Sequence, residues 1–121
     1  MTNSMEDIEK AEVILLTGSN PAHNHPVVDL RIRRAVSQHG AKLIVVDPRR
    51  TELVEYAHLW LRPRPGTDVA WLNGLMHIII HEGLWDRSYV EARTENFSSV
   101  KATVERYNPL LVEKITGIPA G

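Results

Sequence analysis

Three short apolar segments stand out along the first half of the chain. They are Val13–Thr17, Lys42–Val46 and Leu59–Leu61, and each is followed by glycine, proline or charged residues. Continuous apolar runs of this kind are typical of strands that are buried on both faces of a parallel sheet. The pattern therefore predicts three strands.

Segments with helical periodicity lie between and after these strands. One helix is predicted from Pro26 to just before Gly40, because proline suits the first helical position and glycine suits the residue past the end. Its predicted buried stripe consists of Val28, Ile32, Ala35 and Val36. A long helix is predicted from Thr67 to about Glu82, with apolar positions at Val69, Leu72, Leu75, Met76, Ile79 and Ile80. Shorter helices are predicted after a Ser4 and Asp7 capping box, at 52–57, near Asp86, at 97–107, and from Asn108 to Gly117.

The alternation of strands and helices predicts right-handed parallel βαβ units. We therefore expect an α/β fold, Rossmann-like, with three α/β/α layers and a short, mainly parallel sheet. A chain of 121 residues has the length of one domain. Because three strands are few for such a sheet, residues 1–121 are expected to be a single domain that belongs to a larger multidomain fold.

Composition and charge exclude several classes of protein. Hydrophobic residues make up 43% and charged residues 24% of the chain, which is ordinary for a soluble globular protein. The formal net charge of −1 does not favour nucleic acid or an anionic membrane as a partner. No apolar run approaches the ~20 residues that span a bilayer, and the N-terminus does not resemble a signal peptide. We therefore expect a cytoplasmic protein without direct membrane contact.

The chain contains no cysteine, which excludes disulfides, thiolate metal sites and a cysteine nucleophile. His77 and His81 lie four residues apart on the long helix, but no third ligand and no HExxH pattern accompany them. We expect interfacial or partly buried histidines there rather than metal ligands. His25 is placed where it can contact a ligand or cap the following helix. No nucleophile-elbow motif is present, so no catalytic residue is predicted.

A polar turn follows the first predicted strand. It consists of Gly18, Ser19 and Asn20 and leads into a helix. Glycine lets a ligand approach the backbone closely, and the free amides and dipole at a helix N-terminus favour an anion such as phosphate. By itself this loop is equally an ordinary turn between a strand and a helix.

A charged turn follows the second predicted strand, with Asp47 and Arg49 separated by a proline. A carboxylate at a strand end can accept hydrogen bonds from a ribose or a base, and an arginine can pair with phosphate. The competing interpretation is that Asp47 caps the helix that follows and that the arginines are solvated.

A third turn, with Gly66, Thr67 and Asp68, opens the long helix, which Thr67 and Asp68 are also suited to cap. Ligands of open parallel sheets bind outside the carboxyl ends of the strands. The coincidence of three such turns at one sheet edge, rather than any single turn, predicts a site for a phosphate-bearing nucleotide cofactor.

A set of motifs occurs in a fixed order along the chain. The motifs are Thr2-Asn3-Ser4, Gly18-Ser19-Asn20-Pro21, His25-Pro26, Gly40-Ala41-Lys42, Asp47-Pro48-Arg49-Arg50, Pro65-Gly66-Thr67-Asp68, Arg93-Thr94-Glu95 and Ile115-Thr116-Gly117. Together they resemble the molybdopterin oxidoreductase family, and most of all its formate dehydrogenase α subunits. The resemblance covers essentially the whole chain. It implies a domain that binds one of two molybdopterin guanine dinucleotides, and these two together chelate molybdenum or tungsten.

The resemblance also implies roles for the three turns. Gly18, Ser19, Asn20 and His25 would line the dinucleotide, with its pyrophosphate near the first loop. Asp47 and Arg49 would contact its ribose or guanine end. Gly66, Thr67 and Asp68 would border the nucleotide, and Asp68 would accept hydrogen bonds from guanine.

Some family features are absent from the sequence. The cysteines for an iron–sulfur cluster, the cysteine or selenocysteine that ligates the metal, the catalytic histidine and the formate-handling arginine do not occur in this segment. His81 and Asn96 stand where an acidic residue and a glycine are usual. The resemblance therefore implies a piece that orients the cofactor without catalysing turnover alone, and whose partners are the remainder of the catalytic subunit and electron-transfer subunits.

Two other functions remain open at this point. One is a stand-alone nucleotide-binding or interaction module without redox activity. The other is an NAD-binding Rossmann domain, which is disfavoured because no G-x-G-x-x-G follows any strand.

Overall fold

A computed structural model describes residues 3–121 of the chain. Thr2, which belongs to the first motif above, lies outside the described residues. The chain divides into two compact units, one that ends at Arg62 and one that begins at Pro63. The organisation of residues 1–121 as a single domain stays a prediction.

The first unit contains a three-stranded parallel sheet in the order β1-β2-β3. Its strands are β1 (Val13–Thr17), β2 (Lys42–Val46) and β3 (Leu59–Leu61). Its helices are α1 (Met5–Lys10), α2 (Pro21–Asn24), α3 (Pro26–His39) and the 3₁₀ helix Glu52–Tyr56. All three predicted strands are confirmed, and the mixed α/β class with a short parallel sheet is confirmed with them. The four-residue helix α2 was not predicted.

Local signals in the sequence explain where the helices of this unit begin and end. The backbone N–H of Ser4 donates to the Asp7 carboxylate at 3.0 Å, as the predicted capping box requires. Pro26 occupies the first position of α3, and Gly40 ends that helix with a φ of 71°. A left-handed residue at this position is the usual end of a helix, and glycine adopts it without strain.

The core of the first unit lies on one face of the sheet. Leu43 and Val45 of β2 and Leu53 of the 3₁₀ helix are fully buried, and the buried Ile32 of α3 packs with them. The prediction that β1 is buried on both faces is wrong for this chain. Its side chains alternate, and Val13, at 58% relative exposure, belongs to the exposed set. The reason is that α1, α3 and the 3₁₀ helix, whose apolar side chains form the core, pack against the other face.

The second unit is helical. Its helices are α4 (Asp68–His81), α5 (Arg87–Arg93), α6 (Phe97–Val104) and α7 (Pro109–Thr116). These match the predicted segments, except that α6 ends at Val104 rather than near residue 107. The side chain of Asn108 accepts from the backbone N–H of Leu111 at 2.9 Å, and Gly117 ends α7 with a φ of 80°.

The predicted apolar stripe of α4 is not its buried face. Val69, Leu72, Leu75 and Met76 are exposed, and the buried face consists of Ala70, Trp71, Gly74 and His77. Gly74 explains the difference, because it allows α7 to pack against α4 at very short range. A Cβ at residue 74 would lie only 2.6 Å from Cγ2 of Val112.

Candidate functional site

The turns that follow β1 and β2 begin side by side at the carboxyl edge of the sheet. Thr17 pairs with Val46 in the register of the two strands, and the backbone N–H of Gly18 donates to the Val46 carbonyl at 3.3 Å. The backbone N–H of Asp47 donates in turn to Leu61 of β3 at 3.1 Å. The parallel sheet thus brings two of the three predicted turns together at one edge.

The first turn offers an accessible backbone and an unused hydrogen-bond acceptor. Gly18 has a φ of 60°, and a Cβ built there would meet no atom within 4 Å. Asn20 precedes α2, but its side chain makes no capping bond. Its Oδ1 is buried and has no hydrogen-bond partner within residues 3–121. Because buried polar groups in proteins are nearly always paired, this atom indicates a donor still to be supplied.

Ser19 and His25 complete the first turn. Ser19 is half-buried beside Gly18. His25 lies between α2 and α3, where its side chain is exposed and makes no capping bond. The structure therefore leaves the imidazole accessible rather than using it to begin α3.

The second turn exposes two arginines, Arg49 and Arg50, and Asp47 orients the first of them. The buried carboxylate of Asp47 accepts from Arg49 three times: from the backbone N–H at 2.8 Å, from Nε at 3.3 Å and from Nη2 at 3.3 Å. The indole Nε1 of Trp60 donates to the Asp47 carbonyl at 2.9 Å and fixes the same residue from β3. These hydrogen bonds and the attraction of the carboxylate raise the pKa of Arg49 above its usual value. The turn thus carries a permanently charged, oriented guanidinium.

The third turn belongs to the second unit. Gly66 has a φ of 80°. The Thr67 hydroxyl donates to the Arg64 carbonyl instead of capping α4. Asp68 accepts from Nε1 of Trp71 at 3.0 Å through one oxygen, and its side chain remains exposed. The meeting of this turn with the loops of the first unit stays a prediction.

The sequence did not predict the role of Arg64, which binds the end of α7 in the second unit. Its Nη1 donates to the carbonyls of Lys114 at 2.9 Å and Ile115 at 3.3 Å, and its backbone N–H donates to Thr116 at 2.8 Å. These are carbonyls at the end of α7, where a cation is favoured by the helix dipole. An arginine between two prolines carries no periodic signal, so only tertiary structure reveals this contact.

The two helical histidines have different environments. His77 is buried, and its Nδ1 lies 3.0 Å from the Val104 carbonyl. A carbonyl only accepts, so Nδ1 carries the proton. The ring of His81 is exposed and meets that of His77 edge to face, with centroids 4.5 Å apart. Within residues 3–121, no group of three or more histidine, aspartate or glutamate side chains is placed to hold a metal ion.

A shallow cleft of about 870 Å³ lies elsewhere in the first unit. It is lined by α1, the start of β1 and the end of α3, which is the amino-terminal edge of the sheet. Its walls carry acidic and basic groups together, including Glu9, Arg31 and Lys42. None of the predicted cofactor residues lines it. The chemistry at the carboxyl edge, rather than the size of this cleft, identifies the candidate site.

The residues at the carboxyl edge fit a phosphate-bearing nucleotide. Arg49 supplies a fixed cation, Gly18 an open backbone and Asn20 an unused acceptor. An anion can pair with the guanidinium and approach closely at Gly18, whose own N–H already donates to Val46. The amide oxygen of Asn20 can accept from a sugar hydroxyl or a base N–H.

Comparison with known proteins identifies the class. A family model described as molybdopterin oxidoreductase matches residues 1–111. The chain therefore belongs to the molybdopterin oxidoreductase family, as its motifs imply.

Its relatives include formate dehydrogenase α subunits. The F420-dependent formate dehydrogenase subunit alpha of Methanocaldococcus jannaschii is 44% identical over 118 residues, which cover 98% of this chain. Formate dehydrogenase H of Escherichia coli is 38% identical over 120 residues, or 99% of the chain. The chain spans 17% of the length of each of these two relatives.

A solved structure has the same fold. Acetylene hydratase from Pelobacter acetylenicus superposes with a TM-score of 0.85 and 38% sequence identity, over 92% of this chain and 15% of that protein. The fold is thus one part of a larger multidomain fold in this structural neighbour. Among the helices of residues 3–121, none has the length and apolar character needed to cross a membrane.

Proposed function

We propose that this chain binds part of a bis-molybdopterin guanine dinucleotide cofactor, carrying molybdenum or tungsten, as a segment of a formate dehydrogenase-like oxidoreductase. The observation that supports the proposal most strongly is the pair of turns at the carboxyl edge of the sheet. Gly18 bonds there to Val46, the last residue of β2, and Asp47 next to Val46 holds the guanidinium of Arg49. The identity to formate dehydrogenase α subunits supports the same conclusion.

Each turn has a role in this proposal. Gly18, Ser19, Asn20 and His25 line the dinucleotide, with the pyrophosphate near the first turn. Arg49 pairs with a phosphate or stacks on the base, and Asp47 orients it. Gly66, Thr67 and Asp68 border the nucleotide, and the free oxygen of Asp68 accepts from guanine N–H groups.

The role of this chain is to bind and orient. When bound, the cofactor supplies the metal-centred redox chemistry that converts formate to CO2. This segment has no catalytic residue of its own in the proposal, and an iron–sulfur cluster belongs to other parts of the enzyme. Its partners are then the remainder of the catalytic subunit and the electron-transfer subunits, in the cytoplasm.

A nucleotide titration tests the proposal. The isotope-labelled chain is titrated with guanosine diphosphate, which mimics the nucleotide end of the cofactor, and followed by amide NMR signals. We expect the signals of Gly18, Asp47 and Asp68 to move together along one saturation curve. Signals of α1 serve as an internal reference, because that helix lies at the opposite edge of the sheet.

Adenosine diphosphate is the matched control ligand. Weaker shifts with adenosine diphosphate support guanine recognition. Equal shifts with both nucleotides favour a nucleotide-binding module without redox activity. Signals that remain unmoved with guanosine diphosphate at all three turns contradict the proposed site.

A further inference from the structure

One arginine outside the candidate site connects α3 to the 3₁₀ helix. These two helices lie beyond the first and the second turn of the site. Arg33 of α3 donates through Nε to Oδ2 of Asp29 at 2.7 Å and through Nη2 to Oε2 of Glu52 at 3.1 Å. Its guanidinium also lies over the ring of Tyr56, 5.0 Å from the centroid. A single side chain thus ties the first turns of α3 to both ends of the 3₁₀ helix.

The position of this link in the chain determines what it controls. Helix α3 follows the turn of Gly18 after the short helix α2, and the 3₁₀ helix follows the turn of Arg49 directly. Asp47 is already fixed to β3 through its backbone. Residues 48–51 are therefore held at one end by Asp47 and at the other end by Glu52, through Arg33.

The packing of the 3₁₀ helix in the core does not depend on the ion pairs of Arg33. Leu53 anchors the 3₁₀ helix in the core, where it is fully buried beside Ile32. Burial of this apolar side chain keeps the 3₁₀ helix packed even without the ion pairs. Burial lowers the pKa of Arg33, but its contacts with Tyr56 and Asp29 outweigh this and raise the pKa overall. The Arg33 guanidinium therefore stays protonated throughout the neutral pH range.

We infer that Arg33 is a positioning residue, which sets the turn of Arg49 relative to the turn of Gly18. Its importance for the cofactor rests on the proposed function. The positioning itself is a property of the ligand-free chain. An experiment can therefore contradict the positioning role without contradicting the proposed function, and the reverse.

Two substitutions test the inference, each with a matched control. Arg33→Met removes both ion pairs and keeps an apolar stem, and Arg34→Met is its control on the same helix. Because Oδ1 of Asp29 already lacks a partner within residues 3–121, Arg33→Met leaves a buried carboxylate unpaired. Glu52→Ala is the gentler variant, because the Glu52 side chain is 60% exposed. Glu55→Ala is its control on the same 3₁₀ helix.

Amide hydrogen exchange of the ligand-free chain is the first measurement. The amides of Arg49 and Val54 are hydrogen-bonded at the two ends of the turn, to Asp47 and Thr51. We expect their exchange to become about tenfold faster in Arg33→Met and about threefold faster in Glu52→Ala, with β2 amides unchanged. The affinity for guanosine diphosphate should fall in the same order, while the urea midpoint of Glu52→Ala remains that of the unmodified chain.

The outcomes are distinct. If Arg49 and Val54 exchange no faster in Glu52→Ala and Arg33→Met than in the two controls, the inference is overturned. Exchange that rises equally at β2 in both variants also overturns it, because Arg33 then only stabilises the fold. Faster local exchange in a chain that does not bind guanosine diphosphate supports the positioning role and contradicts the proposed function.

Discussion

The side chains of Asp47 and Arg49 form a pair in which one partner is buried and the other is presented to solvent. Two of their hydrogen bonds, Nε to Oδ1 and Nη2 to Oδ2, are each 3.3 Å long. The Asp47 side chain is 3% exposed and the Arg49 side chain 68% exposed. A buried anion at a strand end therefore orients a cation toward the place where the family's cofactor is proposed to lie.

Replacing the carboxylate should weaken ligand binding more than it weakens the fold. In Asp47→Asn the backbone N–H of Arg49 keeps an acceptor, but the guanidinium loses its fixed anion. We expect guanosine diphosphate to bind about threefold to tenfold more weakly, as measured by calorimetry. Asp7→Asn, in the capping box of α1, is the control and should leave the affinity unchanged. Unchanged affinity in Asp47→Asn would show that the pair does not orient Arg49 for binding.

Gly74→Ala should destabilise the second unit. Alanine is the better helix former by about 1 kcal/mol, but its Cβ would meet Val112 at 2.6 Å. Forced repacking of a tight helix contact typically costs about 1–3 kcal/mol. We therefore expect a net loss in the free energy of urea unfolding. Adding Val112→Ala should recover part of that loss, and a single variant as stable as the unmodified chain would argue against the close packing of α4 on α7.

His77 and His81 should differ in their effect on stability. His77→Leu removes the donor to the Val104 carbonyl, although that carbonyl still accepts from the backbone N–H of Tyr107 at 3.0 Å. We expect a loss of about 1 kcal/mol in the free energy of unfolding. His81→Leu, at the exposed partner ring, should change it by less than about 0.5 kcal/mol. Equal effects of the two substitutions would contradict the assigned hydrogen bond.

Arg64→Met should loosen the end of α7. The substitution removes the donor to Lys114 and Ile115 while the methionine keeps most of the apolar stem. We expect a loss of about 1 kcal/mol in unfolding free energy and faster amide exchange at Gly117, whose N–H bonds to Glu113. Arg93→Met, on the exposed surface of α5, is the control. No difference between the two variants would mean that Arg64 does not hold the helix end.

Local patterns in the sequence predict most of the fold. Pro26 and Gly40 mark the two ends of α3, since one lacks an N–H that a first turn does not need and the other adopts a left-handed conformation. Helix α2 was missed because four residues are too few to show a period. The buried face of α4 was also missed. Apolar residues mark the exposed side there, and the buried side depends on a glycine that matches Val112 of another helix.

The candidate site is predictable in its location but only partly in its contacts. Parallel strands place the turns of Gly18 and Asp47 at one edge, and this follows from the order of strands and helices alone. The sequence does not predict that the Asp47 carboxylate is hydrogen-bonded to Arg49, because the same carboxylate can bind a ligand or cap a helix. Burial of Asp47 and the hydrogen bond from the Trp60 indole to its backbone carbonyl hold the residue in place, and both are tertiary effects.

The most direct test of the central claim compares two variants, Arg49→Gln and Arg34→Gln. The quantity measured is the dissociation constant of each variant for guanosine diphosphate. Both substitutions remove one positive charge from an exposed side chain of the first unit, but only Arg49 lies at the carboxyl edge of the sheet. We predict that Arg49→Gln raises the dissociation constant about tenfold and that Arg34→Gln leaves it unchanged. Equal dissociation constants for the two variants would contradict the proposed cofactor site.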